Sequence, residues 1–577
     1  MSKLNIDQSS IKKLFEDKKS DFLIPDYQRP YAWTETECQT LWDDIFEFSF
    51  PGDDVSKFNE DEEYYLGPIV TFKNEDNKKE IIDGQQRLTT LMLLLRAFYC
   101  KFGNMKDENS VQTREIIAKC IWKTNEFGKP NTEALKIDSE VATDKDKEEF
   151  LSILKTGDAT NLRSKYAENY RFFQKKINEF LDGFPSYFAY LPIRILNNCI
   201  LLPIEAEDQN TALRIFSTLN DRGKPLSDAD IFKAQFYKFF KELGKKDEFI
   251  ERWKHLEEKC DKMFKPLSGT PLDELFSRYM YYERAKMGIK LSTTEALRKF
   301  YEKNKYALLK NEATFENLID LADFWEDVYN QNEDRFSKDV LKKLFVLNYA
   351  PNGMWSYFVT VYYLHNRDSD GNLCDNDFND FLKKTIAFVW AYAIYMPGVN
   401  ALRTPVFNEM IKIVNDQVVD FCDYKFNLSQ LESMFNNYEF NNNRPITKSM
   451  LAWWAFQDAE QKLIELDKTF EIEHIYAKNR YVKEGSLDDS KYLEKLGNKS
   501  LLEKRINIRA SDYRFEDKKK YYQGYTMANG NIKESTEIVS LKSLSNKSDF
   551  TQQDIFDRNK LIITSFMCYL KENNLEA

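Results

Sequence analysis

His474 is one of three histidines in 577 residues, and the only one flanked by acidic residues in a run with strand character. Glu473-His474-Ile475 is followed by Leu496-Gly497-Asn498-Lys499-Ser500-Leu501-Leu502 and then by Asn507. A His, an Asn and a second Asn in that order suit a metal-dependent hairpin that hydrolyses phosphodiesters. A neutral imidazole can take a proton from water near pH 7, and carboxylate or amide oxygens suit a hard divalent cation. Between Lys491 and Lys520, ten Lys or Arg stand against five Asp or Glu in a chain whose net charge is −11, so phosphate contact is expected there. His255, on a charged helix, and His365, where an aromatic helix gives way to a polar loop, have no such neighbours.

A second constellation lies near the N-terminus. Ile81-Ile82-Asp83-Gly84-Gln85-Gln86-Arg87-Leu88 runs from a strand through a glycine turn into an apolar helix. Gly84 lets backbone N–H groups approach a ligand, the helix start adds unpaired donors, and Arg87 offers a bidentate fork for phosphate. Asp83 is a candidate for a metal or a ribose; Gln85 and Gln86 are candidates for a base edge or a water. Gln28 and Arg29 sit in Tyr27-Gln28-Arg29-Pro30-Tyr31-Ala32-Trp33, a loop that its prolines preorganise. Asn220, Arg222 and Lys224, in Leu219-Asn220-Asp221-Arg222-Gly223-Lys224-Pro225, are a third polar cluster, whereas Asp230 has a capping role with Ser227.

These residues need elements to hold them. Phe22 to Pro25, Tyr64 to Phe72, Glu80 to Ile82 and Cys199 to Ile204 read as strands, the middle two joined as a hairpin across polar Lys73 to Lys79. Thr34-Glu35-Thr36-Glu37 opens a helix through a capping box; further helices are expected over 88–98 and 210–219. From Ser227 to Leu466 the periodicity is helical, with Leu226 to Leu243 and Phe378 to Ala393 as clear examples; the last 110 residues return to mixed structure. The fold class is therefore multidomain α+β, predominantly α-helical, in three parts: 1–230, a helical middle over 231–444, and 445–577.

At 42% hydrophobic and 15% aromatic residues, each part can bury a core, and long disorder is excluded. The eight cysteines are scattered with no C-x-x-C pair, against structural zinc or a disulfide framework. No signal core or membrane-length apolar run is present, so a cytoplasmic protein without a membrane partner is expected.

Taken together, the Tyr27–Trp33 block, the intact Asp83-Gly84-Gln85-Gln86-Arg87 signature and the Leu219–Leu226 block resemble the GmrS half of the GmrSD-type modification-dependent restriction systems over residues 8 to 240. The pieces around His474 resemble the GmrD half over residues 445 to 570, and Asn498 and Asn507 lie nine apart, as in HNH domains. The resemblance implies a ParB/sulfiredoxin-like N-terminal core that binds or hydrolyses a nucleoside triphosphate, GTP or ATP, although no Walker-A loop is present. It implies a C-terminal ββα-metal (HNH) nuclease in which His474 is the general base, Glu473 and Asn507 hold Mg²⁺ or Mn²⁺, Asn498 orients the hairpin, and Lys518 contacts DNA phosphate. Glu471 is the alternative ligand, because Glu473 and His474 point to opposite faces of a regular strand. The implied function is nucleotide-regulated cleavage of modified phage DNA. A regulatory nucleotide- or DNA-binding protein with an inactive hairpin is the alternative. Oligomeric state stays open, a homo-oligomer included.

Overall fold

Phe22, Leu23 and Ile24 are all buried, as a strand covered on both faces requires, and they lie inside a mixed seven-stranded sheet. In the computed structural model, which describes residues 5–577 except 7, 19, 142–143, 210, 213–214, 216–226, 292 and 399, the strands of this half are β1 (Asn5–Ile6), β2 (Ser9–Ser10), β3 (Phe22–Ile24), β4 (Tyr64–Lys73), β5 (Lys79–Asp83), β6 (Trp122–Thr124), β7 (Pro130–Leu135), β8 (Ile137–Ser139) and β9 (Cys199–Ala206). The sheet order is β1-β9-β4-β5-β3-β8, with β2 also on β9, while β6 and β7 form a separate ladder. β4 and β5 are the expected antiparallel hairpin, turned by Asn74, whose side chain accepts from the backbone N–H of Asp76 and Lys78. β9 lies parallel to β4, and β3 parallel to both β5 and β8.

The helix Gln85–Lys101 begins at Gly84, whose φ of 93° an L-residue adopts only with strain. It packs on the helices Glu108–Ile121 and Lys165–Gly183. Leu88, Leu91 to Leu95 and Phe98 are therefore buried on all sides, each such side chain stabilising by roughly 1.5–3 kcal/mol. Capping boxes start the helices Glu35–Ser49 at Thr34 and Asp228–Glu242 at Ser227. The expected helix over 210–219 and the cluster Asn220, Arg222 and Lys224 fall largely or wholly outside the described residues.

The chain divides into two units, Met1–Lys254 and His255–Ala577. In the second, helices such as Pro271–Lys286, Met354–Asn366, Asp375–Tyr395 and Pro445–Ala455 bury a core rich in Phe, Tyr and Trp. Among the described residues no strand interrupts 227–466, and no helix is long and apolar enough to cross a membrane. Then β10 (Phe470–His474) and β11 (Lys499–Glu503) pair antiparallel, with Glu473 opposite Ser500 and His474 opposite Lys499. The helices Lys504–Ala510 and Phe515–Gln523 follow, then the small ladder β12 (Tyr525–Thr526) with β13 (Ile532–Lys533), and the helix Gln552–Glu572 ends the unit. The turn before β11 is pressed against that last helix. A Cβ at Gly497 would lie 2.0 Å from the Ile555 carbonyl oxygen, so only glycine permits the approach.

Candidate functional site

The hairpin β10–β11 is regular from Phe470 to His474, so side chains alternate between its faces. Glu471 and Glu473 share one face, and His474 leaves from the other at the last position of the strand. On the first face the structure brings Asn507 to Glu471: the amide Nδ2 donates to Glu471 Oε2 at 2.9 Å. It does not bring Asn507 into contact with Glu473. Glu473 is 3% exposed; Lys518 Nζ donates to its Oε1 at 2.9 Å, and the Tyr522 hydroxyl donates to the same oxygen. Burial pushes the Glu473 carboxyl up, against the pull of Lys518 and Tyr522.

One expected surface contact is buried. Lys518 is no phosphate contact in this conformation, because it is 1% exposed and its ammonium is spent on Glu473 and on the His474 carbonyl oxygen at 2.7 Å. The helix Phe515–Gln523 turns this lysine inward, where it stands in the position of a cation held by Glu473. As for the ligand pair, the carboxylate that Asn507 meets is that of Glu471, the alternative raised by strand alternation, and it meets it through its amide nitrogen.

The Glu471 face fits a divalent cation of the Mg²⁺ or Mn²⁺ kind. Its carboxylate oxygens suit such an ion and the Lys518 ammonium already shows the face accommodating positive charge, whereas Asn507 turns its amide nitrogen to Glu471 and would offer its oxygen only with the amide rotated. Among the described residues no three His, Cys, Asp or Glu side chains converge, so an ion here would rest on one or two carboxylates, the Asn507 amide and water.

His474 faces a separate charged cluster that nothing in its immediate sequence announces. Its Nε2 is buried, without a hydrogen-bond partner, 3.8 Å from Glu494 Oε1. Glu494 in turn meets Lys478 at 3.1 Å and Lys499 at 2.6 Å, and Lys499 is fully buried with further bonds to the Phe440 carbonyl and Asn442. Burial holds the His474 imidazole below its ordinary range, with Glu494 opposing and Lys499 and Lys478 assisting, so it is neutral at pH 7. Surrounded by His474, Lys499 and Lys478, the Glu494 carboxyl is held far below the usual carboxylate range. The pairing of His474 with Lys499 was available by counting hairpin register; Glu494, in a short helical turn, carried no sequence signal.

Asn498 is a clamp. Fully buried, it accepts from the Tyr476 N–H at 2.7 Å and donates to the carbonyls of Tyr476 and Leu493, while its own carbonyl accepts from Ile475 N. Arg558 donates to the carbonyls of Leu496, Gly497 and Lys499 from the last helix, and burial lowers its guanidinium to about 10.

In the first unit the signature residues divide into two groups. Gln86 accepts from Ala32 N at 2.7 Å and donates to the Pro30 carbonyl; Gln85 donates to the Arg29 carbonyl; Gln28 donates to the carbonyls of Ile81 and Ile82. These three amides staple the 27–33 loop to the start of the Gln85 helix. Asp83, Arg87 and Arg29 form the second group. Burial raises the Asp83 carboxyl while Arg87 and Arg29 pull it down, and burial lowers the Arg87 guanidinium while Asp83 opposes. Arg87 donates to the Pro68 carbonyl at 3.0 Å and fills the space over Gly67, where a Cβ would stand 2.8 Å from its Cζ. Arg29 Nε is buried without a partner. Asp26, just before the loop, accepts from the Tyr237 hydroxyl at 2.9 Å and pairs with Lys246 at 2.6 Å.

Residues 11–237 match the family described as GmrSD restriction endonuclease, N-terminal domain, and residues 425–565 match GmrSD restriction endonucleases, C-terminal domain. A comparison with curated proteins finds no match. The first match contains the Asp83 signature and its stapled loop, and the second contains the β10–β11 hairpin with Asn498 and Asn507. With both halves matched in order on one chain, this protein belongs to the GmrSD restriction endonuclease family.

Proposed function

We propose that the protein is a restriction endonuclease that cleaves modified phage DNA by metal-dependent hydrolysis at the β10–β11 hairpin, under the control of a nucleotide at the Asp83–Arg87–Arg29 cluster. The observation that carries this reading is Asn507, on the helix after the hairpin, donating at 2.9 Å to Glu471 of β10, a strand that ends in His474, whose burial favours the neutral imidazole. Two antiparallel strands followed directly by the helix Lys504–Ala510 support a ββα-metal, HNH, fold, and the mixed sheet of the first unit a ParB/sulfiredoxin-like core. The division into sensor, helical middle and nuclease belongs to the same proposal.

In this reading Glu471 and Asn507 hold the ion, Mg²⁺ or Mn²⁺. When bound, the ion supplies charge neutralisation at the scissile phosphate and at the leaving oxygen. His474 accepts the proton of the attacking water, which a desolvated, neutral imidazole does at physiological pH. Asn498 fixes the backbone on which His474 sits, and Glu494 orients the ring through its 3.8 Å approach to Nε2. Because His474 and Glu471 leave opposite faces, the phosphate lies across the end of β10. Arg505 and Lys533, in a surface cleft with the exposed Ile508 and Ile532 beyond the end of β11 and so toward the start of β10, are the candidates for the phosphate contact expected of Lys518.

At the N-terminal cluster, Arg29 and Arg87 are the phosphate donors and Gly84 opens the helix start; GTP or ATP is the ligand class. Coupling requires that nucleotide contact two states of the protein differently. A regulatory DNA- or nucleotide-binding protein with a silent hairpin is the second reading, favoured by the Lys518 ammonium that already occupies Glu473. Purified protein incubated with Mg²⁺ and paired unmodified and modified DNA, with and without GTP or ATP, separates the two. Cleavage that needs the ion supports the endonuclease, and saturable binding without cleavage supports the regulator.

A further inference from the structure

Inside the second unit, away from the hairpin, the helices Lys338–Leu347, Met354–Asn366, Asp375–Tyr395 and Pro445–Ala455 and the end of the Gln552–Glu572 helix surround a cavity of about 1030 Å³. That is at the upper end of the range that takes a nucleotide-sized ligand. Four lysines line it, Lys342, Lys343, Lys383 and Lys384, and all four are half-buried. Of the six lining carboxylates, Asp339, Asp377, Asp380, Asp416 and Glu572 are exposed and so form the rim, while Asp458 is half-buried like the lysines. Away from the rim, four half-buried lysines thus stand against one half-buried carboxylate, although the lining as a whole is not cationic.

The fold leaves three of these four lysines without an ion pair among the described residues. Among the described residues only Lys383 has a carboxylate at ion-pair distance, Asp380 at 3.0 Å. Lys343 donates to the Asp339 backbone carbonyl and Lys384 to that of Val419. Burial, with Asp339 opposing and Lys383 and Lys342 assisting, lowers the Lys343 ammonium. Aromatic surface accompanies the charge: Tyr362, Phe456 and Tyr569 line the same cavity, and Trp453, 1% exposed, contributes a buried indole N–H that has no partner. Unneutralised ammonium groups call for an anion, and flat rings beside them call for a planar partner.

We propose that this cavity is a second binding site, distinct from the Asp83–Arg87 cluster, for a nucleotide unit: a phosphate on the lysines and a base against the aromatic wall. The unit comes either from a free nucleoside phosphate or from a nucleotide turned out of a DNA strand. The site goes beyond the proposed cleavage and does not depend on it.

The test uses the full chain without added metal, with fluorescently labelled dCMP and a labelled single-stranded oligonucleotide as probes, read by anisotropy. The expected result is saturable binding of at least one probe, weakened at least tenfold by Lys342→Gln/Lys343→Gln and unchanged by Arg87→Gln. Binding of dCMP alone marks a small-molecule site; oligonucleotide binding that dCMP displaces marks a unit of DNA. Absence of saturable binding, or binding lost in Arg87→Gln and kept in the lysine variant, overturns the proposal. Thermal melting checks the fold of the double variant; if it does not fold, Lys342→Gln alone serves, with a threefold or greater loss expected and an unchanged affinity counting against the site.

Discussion

Lys518 and Glu473 form an ion pair of 2.9 Å whose side chains are 1% and 4% exposed, inside the face of the hairpin that also carries Glu471 and Asn507. Two oppositely charged groups so far from water stabilise the fold only as a pair, and either one alone is an uncompensated buried charge. Lys518→Met is expected to lower unfolding free energy by about 3–5 kcal/mol. The double variant Glu473→Gln/Lys518→Met should recover much of that loss. Urea denaturation of the four proteins of this cycle measures it, and additive single effects would mean that the two side chains do not act as a pair.

The same face yields a prediction about cleavage. If Glu471 and Asn507 hold the ion, Glu471→Gln should reduce the cleavage rate about 100-fold or more, by analogy with losses on removing one electrostatic catalytic donor. Glu473→Gln should act chiefly on stability. Rates measured over a Mg²⁺ titration decide between them. A larger rate loss in Glu473→Gln would mean that the Lys518 contact opens before catalysis.

Gly497 was legible in the sequence as part of a motif, but its reason was not. The Leu-Gly-Asn spacing pointed to a hairpin clamp; the 2.0 Å approach of Ile555 comes from a helix more than fifty residues further on. Gly497→Ala must push that helix away, and overpacking of this kind costs about 1–3 kcal/mol or more. A melting temperature equal to that of the wild type would show that the helix yields freely.

Much of the first unit could be read in the same way. Local signals, the Thr34 and Ser227 capping boxes, the β4–β5 hairpin and the apolar helix after Gly84, correspond to elements of the structure because each is determined by a few neighbouring residues. β6, β7 and β8 had no such signal: Pro130–Leu135 is largely polar and exposed, and its pairing depends on tertiary contact. At the sites, residue types were legible and directions were not. The burial of Lys518 and the stapling roles of Gln28, Gln85 and Gln86 depend on partners 44 or more residues away, beyond the reach of any local pattern.

Those staples have a consequence for ligand binding. Gln86→Leu removes the acceptor for Ala32 N and the donor to Pro30 O, so the 27–33 loop loses one of its three staples although no ligand group is touched. Nucleotide affinity should fall about tenfold or more, while Gln86→Glu, which keeps the acceptor, should fall less. Calorimetric titration with GTP and ATP checks this; equal affinity in Gln86→Leu and wild type would detach the loop from the ligand site.

Glu494 provides a pH signature. Its carboxyl is depressed in the folded protein by His474, Lys499 and Lys478, so it contributes stability above its unfolded value of 4.5, and that contribution is lost as pH falls below it. Glu494→Gln should therefore be less stable than wild type at pH 7, and the gap should close progressively below pH 4.5. Denaturation midpoints of both proteins from pH 7 to pH 3 test the sign. A gap that persists or widens in acid would mean that the charge of Glu494 is not what stabilises the cluster.

Everything proposed for the hairpin turns on whether His474 is the base of a metal-dependent DNA endonuclease. The most direct measurement is nicking of modified plasmid DNA by wild type and His474→Ala in Mg²⁺, with matched samples in EDTA. The expected result is cleavage by wild type in Mg²⁺, none in EDTA, and a loss of about 100-fold or more in His474→Ala with its melting temperature retained. Cleavage by His474→Ala at the wild-type rate would contradict it.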